Sequence, residues 1–123
     1  MRVLVDTNIV TRSAQPGHPM YQDATDAVST LRQRGEQLCL VPQNLYEYWA
    51  VCTRPAGENG LGLDATEAQA ELARVKGLFE VLADSSAIYP AWERLVTQHA
   101  VMGRNSHDAR LVAAMEVHGV THL

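Results

Sequence analysis

Two carboxylates in this sequence lie in unusually apolar surroundings. Asp6 directly follows Val3–Val5, a short apolar run that is typical of a buried parallel strand. Because ligands bind beyond the carboxyl ends of strands in open α/β sheets, Asp6 would lie at the rim of a crevice. The alternative is that Asp6 only caps the next turn.

The second of these carboxylates, Glu47, is the only charged residue of Leu45–Cys52, a predicted helix that is apolar around most of its circumference. Such a helix is expected to be largely buried, either by the core or by a partner. A carboxylate on it then needs an ion-pair partner, hydrogen bonds or a metal ion. The alternative is an ordinary salt bridge at the edge of the helix.

A third carboxylate, Asp108, opens the last predicted helix, and Leu111, Val112 and Met115 follow it at helical spacing. Asp108 is therefore predicted to begin the face that packs into the core, although the helix dipole alone would favour an Asp at this end. Three acids in one semi-buried site would repel one another, and a divalent cation would relieve that repulsion. Oxygen ligands without a cluster of His or Cys favour Mg²⁺ or Mn²⁺, which can activate water for phosphodiester cleavage.

Alternating strands and helices are predicted to position these acids. The predicted strands are Val3–Val5, Leu38–Val41 and Phe79–Leu82, and the predicted helices include Tyr21–Arg34, Pro42–Thr53, a helix capped by Asp64, a helix from Ile88, and His107–His118 capped by Ser106 and ended by Gly119. This order predicts an α/β fold, a three-layer α/β/α sandwich with a mostly parallel central sheet, in one domain over residues 1–123. The last residues, 120–123, look like half a strand, and we expect the C-terminal strands to be truncated.

The composition narrows the classes of function. The chain has 123 residues, 46% of them hydrophobic, and a net charge of −4, which argues against non-specific binding to duplex nucleic acid. No apolar run is long enough to cross a membrane, and no signal-peptide layout precedes the first strand. Cys39 and Cys52 are predicted to be small buried residues of a protein in the reducing cytoplasm.

Three short motifs give the chain a family resemblance. They are V-D-T-N at Val5–Asn8, N-L-Y-E at Asn44–Glu47 and H-D-A-R-L-V-A at His107–Ala113. With these motifs in this order, the chain resembles the PIN-domain ribonucleases, specifically the VapC-type toxins of toxin–antitoxin pairs. The resemblance implies a PIN-like fold, cleavage of RNA (often tRNA or rRNA) that depends on Mg²⁺ or Mn²⁺, a homodimer, and a cognate antitoxin that also binds operator DNA.

The resemblance also implies roles for individual residues. Asp6, Glu47 and Asp108 would be the catalytic metal ligands, Asn8 and Asn44 would orient them, and Ser106 would lie at the rim of the pocket. Arg104 and Arg110 flank Asp108 in the sequence and are candidates to grip phosphate, or else to face solvent or the antitoxin; Arg54 leaves the same choice open. The family usually has a fourth acidic residue beyond the point that corresponds to Leu123, so a second metal site stays in question.

Three hypotheses of function follow. The first is a metal-dependent endoribonuclease that acts as the toxin of a type II toxin–antitoxin system. The second is a catalytically weak antitoxin-binding partner in a DNA-bound repressor complex. The third is a phosphotransfer domain with Asp6 as the nucleophile. It explains Asp6 but gives Glu47 and Asp108 smaller roles.

Overall fold

A computed structural model of the protein describes residues 1–123 and contains a three-stranded parallel sheet. Its strands, in spatial order, are β1 (Arg2–Leu4), β2 (Gln37–Leu40) and β3 (Glu80–Val81). An isolated parallel bridge joins Val3 to His122, and the amide of Leu4 donates to the His122 carbonyl at 2.9 Å. The half-strand predicted near the end of the sequence therefore pairs with the sheet, on the side of β1 opposite to β2.

Six α-helices connect and follow these strands. They are α1 (Thr7–Ser13), α2 (Tyr21–Gln33), α3 (Pro42–Thr53), α4 (Ala65–Leu78), α5 (Ile88–Gln98) and α6 (Asn105–His118), with a 3₁₀ turn at Ala56–Glu58 between α3 and α4. None of the helices combines the length and the apolar character that a membrane span requires.

The sheet separates two hydrophobic clusters, because successive residues of a strand point to opposite faces. Val3, Val5, Leu38 and Leu40 belong to the cluster that includes Val10 of α1, Tyr48 of α3 and Val75 of α4. Leu4, Cys39 and Val41 belong to the cluster that includes Ile88 of α5 and Leu111 and Ala114 of α6. The predicted α/β/α sandwich is confirmed: the cluster on one face includes residues of α1, α3 and α4, and the cluster on the other includes residues of α5 and α6.

Several local predictions agree with the structure. Helix α3 spans Pro42–Thr53 as expected, and proline at its first position loses no helical hydrogen bond. Asp64 and Glu67 form the predicted capping box, in which each side chain accepts from the backbone amide of the other residue. Gly119 ends α6 in the left-handed region, with φ of 70°, where glycine carries no steric penalty.

One local prediction was wrong, and another is met by the core on one side of the helix only. Helix α6 begins at Asn105 rather than His107, so Ser106 lies inside the helix and no side chain caps its start. Helix α3 is less buried than its apolar composition suggests, because Tyr46 is 64% exposed. The helix packs Tyr48 and Cys52 into the core and presents Tyr46 to solvent, so its burial is one-sided.

The order of strands reverses beside β1. From β1 the chain proceeds to β2 and β3 on one side, and its last residues return to the other side through the bridge at His122. In open α/β sheets this reversal opens a crevice at the carboxyl ends of the strands. Asp6 follows the carboxyl end of β1 and is therefore placed at this crevice.

Candidate active site

Asp6 lies between β1 and α1 and caps the helix. Its Oδ1 accepts a hydrogen bond from the amide of Asn8 at 2.8 Å, so the predicted capping role is real. No protein group donates to Oδ2, and the residue is exposed. Capping therefore fixes the carboxylate while leaving one oxygen free to bind a ligand.

Glu47 lies on α3 and is half-buried, with both carboxylate oxygens engaged. Thr7 Oγ1 donates to Oε1 at 2.6 Å, and Gln43 Nε2 donates to Oε2 at 3.3 Å. Both donors are neutral. The carboxylate is therefore oriented by its neighbours without an ion-pair partner.

Asp108, in the first turn of α6, is exposed and does not face the core as predicted. The core side of α6 consists of Leu111, Ala113 and Ala114, whereas Val112 is 46% exposed. Asp108, Leu111 and Val112 all line one cleft. The helix face that begins at Asp108 therefore lies at the boundary between the core and this cleft. The predicted inward direction of the Asp108 side chain was thus wrong by part of a helical turn, and the side chain lines the cleft instead of the core.

One cleft of about 890 Å³ contains all three acids. Its lining includes Asp6, Glu47 and Asp108 together with Asn8, Arg12, His18 and Arg54. This volume is in the range of small-molecule binding sites, so the cleft can admit a ligand much larger than a metal ion. None of the three acids forms an ion pair, although two arginines line the same cleft.

The side of α1 that faces the cleft was not predicted from the sequence. Asn8, Thr11 and Arg12 line the cleft at the spacing of one helical face, and Gln15 lines it just beyond the end of α1. The sequence does hold the pattern, because Arg12 is four residues after Asn8 and the two would share a face of a helix. The sequence prediction names no helix bounds for this segment. Arg12 adds a positive charge to a cleft with three acids.

The loop after α3 carries the second arginine. It folds back on the helix, with the amide of Gly62 donating to the Arg54 carbonyl at 2.8 Å and that of Leu61 to the Val51 carbonyl at 3.0 Å. A Cβ on Gly60 would lie 2.1 Å from the Arg54 carbonyl oxygen, so no other residue fits there without a shift of the loop. The close packing at Gly60 holds the backbone of Arg54 at the edge of the cleft.

Asn44 supports the site from within the protein, as the resemblance implied for an orienting residue. It is 1% exposed, and its Oδ1 accepts from the amide of Val41 at 2.9 Å. Its Nδ2 donates to the Val5 carbonyl at 3.3 Å and to Thr7 Oγ1 at 2.9 Å. Asn44 therefore ties the ends of β1 and β2 together and reaches Glu47 only through Thr7, a residue that the sequence analysis did not single out.

Three of the predicted residues lie outside the cleft. The side chain of Ser106 caps nothing, and its carbonyl accepts from Trp92 Nε1 at 2.7 Å. Arg104 is exposed beside the start of α6 and forms no ion pair. Arg110 lines a separate cavity of about 380 Å³ together with Ser106, and it pairs with Asp84 at 3.3 Å.

The three acids do not form a ready-made metal cage. No group of three or more His, Cys, Asp or Glu side chains is close enough together to hold a metal ion. Mg²⁺, however, is usually bound by one or two carboxylates and several waters, in contrast to ions held entirely by protein. The all-oxygen donors of this cleft fit such a hydrated ion.

The architecture and the cleft define an α/β protein with an acidic crevice at the carboxyl end of a parallel sheet, consistent with a PIN-like fold. Among solved structures, the chain is similar to one in the crystal structure of VapBC2 from Rickettsia felis bound to a DNA fragment from their promoter. The TM-score is 0.62 at 13% sequence identity, and the match covers 94% of this chain and 80% of that chain. No protein-family model and no curated protein matches the sequence. At this identity, the similarity establishes a shared fold.

Proposed function

We propose that this chain is a metal-dependent endoribonuclease and the toxin of a type II toxin–antitoxin pair. The observation that carries the proposal is that Asp6, Glu47 and Asp108 line one cleft and that no ion pair neutralises any of them. Three uncompensated carboxylates in one crevice favour binding of a divalent cation.

Asp6, Glu47 and Asp108 would hold a hydrated Mg²⁺ or Mn²⁺, at most two of them by direct contact and the rest through its waters. When bound, the ion lowers the pKa of a coordinated water and so supplies a nucleophile. The contribution of the protein is orientation. Thr7 and Gln43 fix the two oxygens of Glu47, and the cap of α1 fixes Asp6. A carboxylate held by hydrogen bonds needs less reorganisation when the ion binds.

Arg12 and Arg54 are the proposed contacts to the RNA backbone. Both line the cleft that holds the acids, and neither has an ion-pair partner in the protein. Contacts from arginine to phosphate position a nucleic acid without reading its sequence. Two cationic side chains in the cleft therefore favour a polyanionic substrate, although three acids line the same cleft.

The remaining parts of the proposal rest on family resemblance. The three motifs and the structural similarity to VapBC2 support an antitoxin partner, and the motifs alone support tRNA or rRNA as the substrate class and a homodimer. The proposed cytoplasmic location rests instead on Cys39 and Cys52, which are both free and buried. The structure described with its promoter DNA is that of the neighbour, and we propose a similar assembly for this chain.

Cleavage of RNA with Mn²⁺ present and after addition of EDTA tests the proposal. Asp6→Asn is the informative variant, and Asp23→Asn, an exposed acid on α2 away from the cleft, is its matched control. We expect cleavage to require the metal, to be lost in Asp6→Asn and to persist in Asp23→Asn. Cleavage that survives both EDTA and Asp6→Asn would refute this mechanism.

A second candidate is a catalytically weak antitoxin-binding partner in a DNA-bound repressor complex. It is favoured by the geometry of the acids, which line one cleft without forming a three-ligand cluster. Size-exclusion chromatography with the product of the neighbouring gene, beside the cleavage assay, separates the two functions. A tight complex and no cleavage of RNA under any metal condition would favour this second function.

A further inference from the structure

We propose that Arg110 is a positioning residue for Glu47 and acts through the side-chain amide of Gln43. Arg110 lies on α6, whereas Gln43 and Glu47 lie one turn apart on α3. The consequence for metal binding rests on the function proposed above, but the link among the three side chains does not.

Gln43 is 7% exposed and uses both ends of its amide. Its Oε1 accepts from Arg110 Nη1 at 3.3 Å. Its Nε2 donates to the Oε2 of Glu47 at 3.3 Å and to the carbonyl of His107 at 2.8 Å. One buried amide thus connects the guanidinium of α6 to the carboxylate of α3.

The direction of this amide follows from the chemistry of its neighbours. A guanidinium can only donate hydrogen bonds, whereas an ionised carboxylate and a backbone carbonyl can only accept them. A flipped amide would set NH₂ against Arg110 and oxygen against Glu47 and His107, leaving three buried or half-buried contacts unsatisfied. Arg110 therefore selects the orientation in which Gln43 donates to Glu47.

Arg110 is itself held from the other side. Its Nη2 donates to Asp84 Oδ1 at 3.3 Å, in the segment that follows β3. The connected side chains thus run from the end of β3 through α6 to α3, where Thr7 holds the second oxygen of Glu47. Thr7 and Gln43 thus each orient one carboxylate oxygen of Glu47, a proposed metal ligand.

This role differs from both roles that the sequence suggests for Arg110, a phosphate contact or an arginine that faces solvent or the antitoxin. A phosphate contact would raise the KM for RNA and leave binding of a metal ion unchanged. A positioning role instead weakens metal binding in the absence of RNA, and it requires Gln43. The His107 carbonyl favours the same amide orientation, so loss of Arg110 removes only part of the effect.

The test measures Mn²⁺ binding without RNA, by electron paramagnetic resonance titration. We expect Gln43→Leu to weaken Mn²⁺ binding about tenfold, the effect typical of residues that orient metal ligands, and Arg110→Met to weaken it by a smaller factor. Arg110→Lys should recover part of the affinity, and the double variant should be no weaker than Gln43→Leu alone. Arg94→Met, which breaks the exposed ion pair with Glu116, is the matched control and should bind as wild type does.

Wild-type Mn²⁺ affinity in Arg110→Met, together with a raised KM for RNA, would overturn the positioning role in favour of a phosphate contact. A urea-unfolding cycle separates this inference from the proposed function. Arg110→Met and Glu47→Gln should be non-additive in their unfolding midpoints, and the non-additivity should shrink in the Gln43→Leu background. If wild type binds no Mn²⁺, the proposed function fails, and this cycle alone decides the link: equal non-additivity in both backgrounds would refute it.

Discussion

Two carboxylates, one on helix α3 and one on α4 in contact with it, have opposite electrostatic surroundings. Glu71 of α4 accepts from Arg74 Nε at 2.6 Å and from the phenol of buried Tyr48 at 3.2 Å. Glu47, one residue before Tyr48 on α3, accepts only from the neutral groups of Thr7 and Gln43. The protein therefore neutralises the charge of Glu71 and leaves that of Glu47 uncompensated.

The comparison indicates how the structure distinguishes a supporting acid from an acid that binds something. Hydrogen bonds from hydroxyl and amide groups fix the orientation of a carboxylate without supplying a positive charge. An arginine does both, so an acid paired with it has less to gain from a cation. Helix α3 thus has two sides: Glu47 lines the cleft, whereas the next residue, Tyr48, lies in the core and donates to Glu71.

Exchanging each acid for its amide should separate the two environments most clearly. Glu47→Gln should lower RNA cleavage at least about 100-fold, because the charge that binds the metal is lost. Glu71→Gln should leave cleavage per folded molecule unchanged and lower the free energy of unfolding by about 1 kcal/mol, since Tyr48 and Arg74 lose a charged acceptor. Cleavage assays and urea unfolding of both variants give the measurement.

Equal losses of cleavage in Glu47→Gln and Glu71→Gln would contradict the comparison, because they would show that the two acids support activity in the same way. Circular dichroism of each variant controls for loss of the fold.

Binding of Mn²⁺ to the folded state provides the next largest difference. At a concentration of about 100 times its Kd, a ligand that binds only the native state raises the free energy of unfolding by about 2.7 kcal/mol. We expect this stabilisation in wild type and in Glu71→Gln, and a much smaller one in Glu47→Gln. Thermal unfolding with Mn²⁺, and then with EDTA in excess, measures it; full stabilisation of Glu47→Gln would exclude Glu47 as a ligand.

The sequence predicted the sandwich and the place of Asp6 because both follow from local rules. Apolar runs such as Leu38–Val41 identify strands, and Asp6 had to lie at a carboxyl edge once β1 was assigned. Asp108 reached the same cleft although its predicted direction was wrong. A spacing of three to four residues locates a helix face only to within part of a turn, and Val112 shows the error.

The links around Glu47 could not be predicted, because they join residues far apart in the chain. Gln43 and Glu47 are separated by one turn, which the sequence does show, but Arg110 is 67 residues from Gln43. The closeness of Arg110 to Asp108 in the sequence suggests only a phosphate contact or an arginine that faces solvent or the antitoxin. The three-dimensional structure turns its guanidinium toward Gln43 and Asp84 instead.

The hydroxyl donors of the two environments offer a finer comparison. Thr7→Val removes the donor to Glu47 and the acceptor of buried Asn44, so we expect a loss of about 1–3 kcal/mol in the free energy of unfolding and weaker Mn²⁺ binding. Thr7→Ser, which keeps the hydroxyl, should largely restore both. Tyr48→Phe should cost about 1 kcal/mol and leave Mn²⁺ binding unchanged. Weaker Mn²⁺ binding in Tyr48→Phe would mean that the two environments are coupled.

The smallest expected difference is in how the free energy of unfolding declines at alkaline pH, and it comes from Tyr48 on the core side of α3. Burial, followed by the nearby Cys52 and Glu71, raises the pKa of the Tyr48 phenol above its ordinary value of 10.0. The unfolded chain therefore loses this proton at a lower pH than the folded chain does, so the stabilising contribution of Tyr48 is complete below pH 10 and declines as the pH rises further.

One such group gives a slope of at most about 1.4 kcal/mol per pH unit in the free energy of unfolding. Urea unfolding between pH 9 and 11 should show a smaller decline in Tyr48→Phe than in wild type. Tyr46→Phe, which alters a tyrosine that is 64% exposed on the same helix, should follow the wild-type curve. If Tyr46→Phe reduced the decline as much as Tyr48→Phe, the alkaline loss would not come from the buried phenol that contacts Glu71.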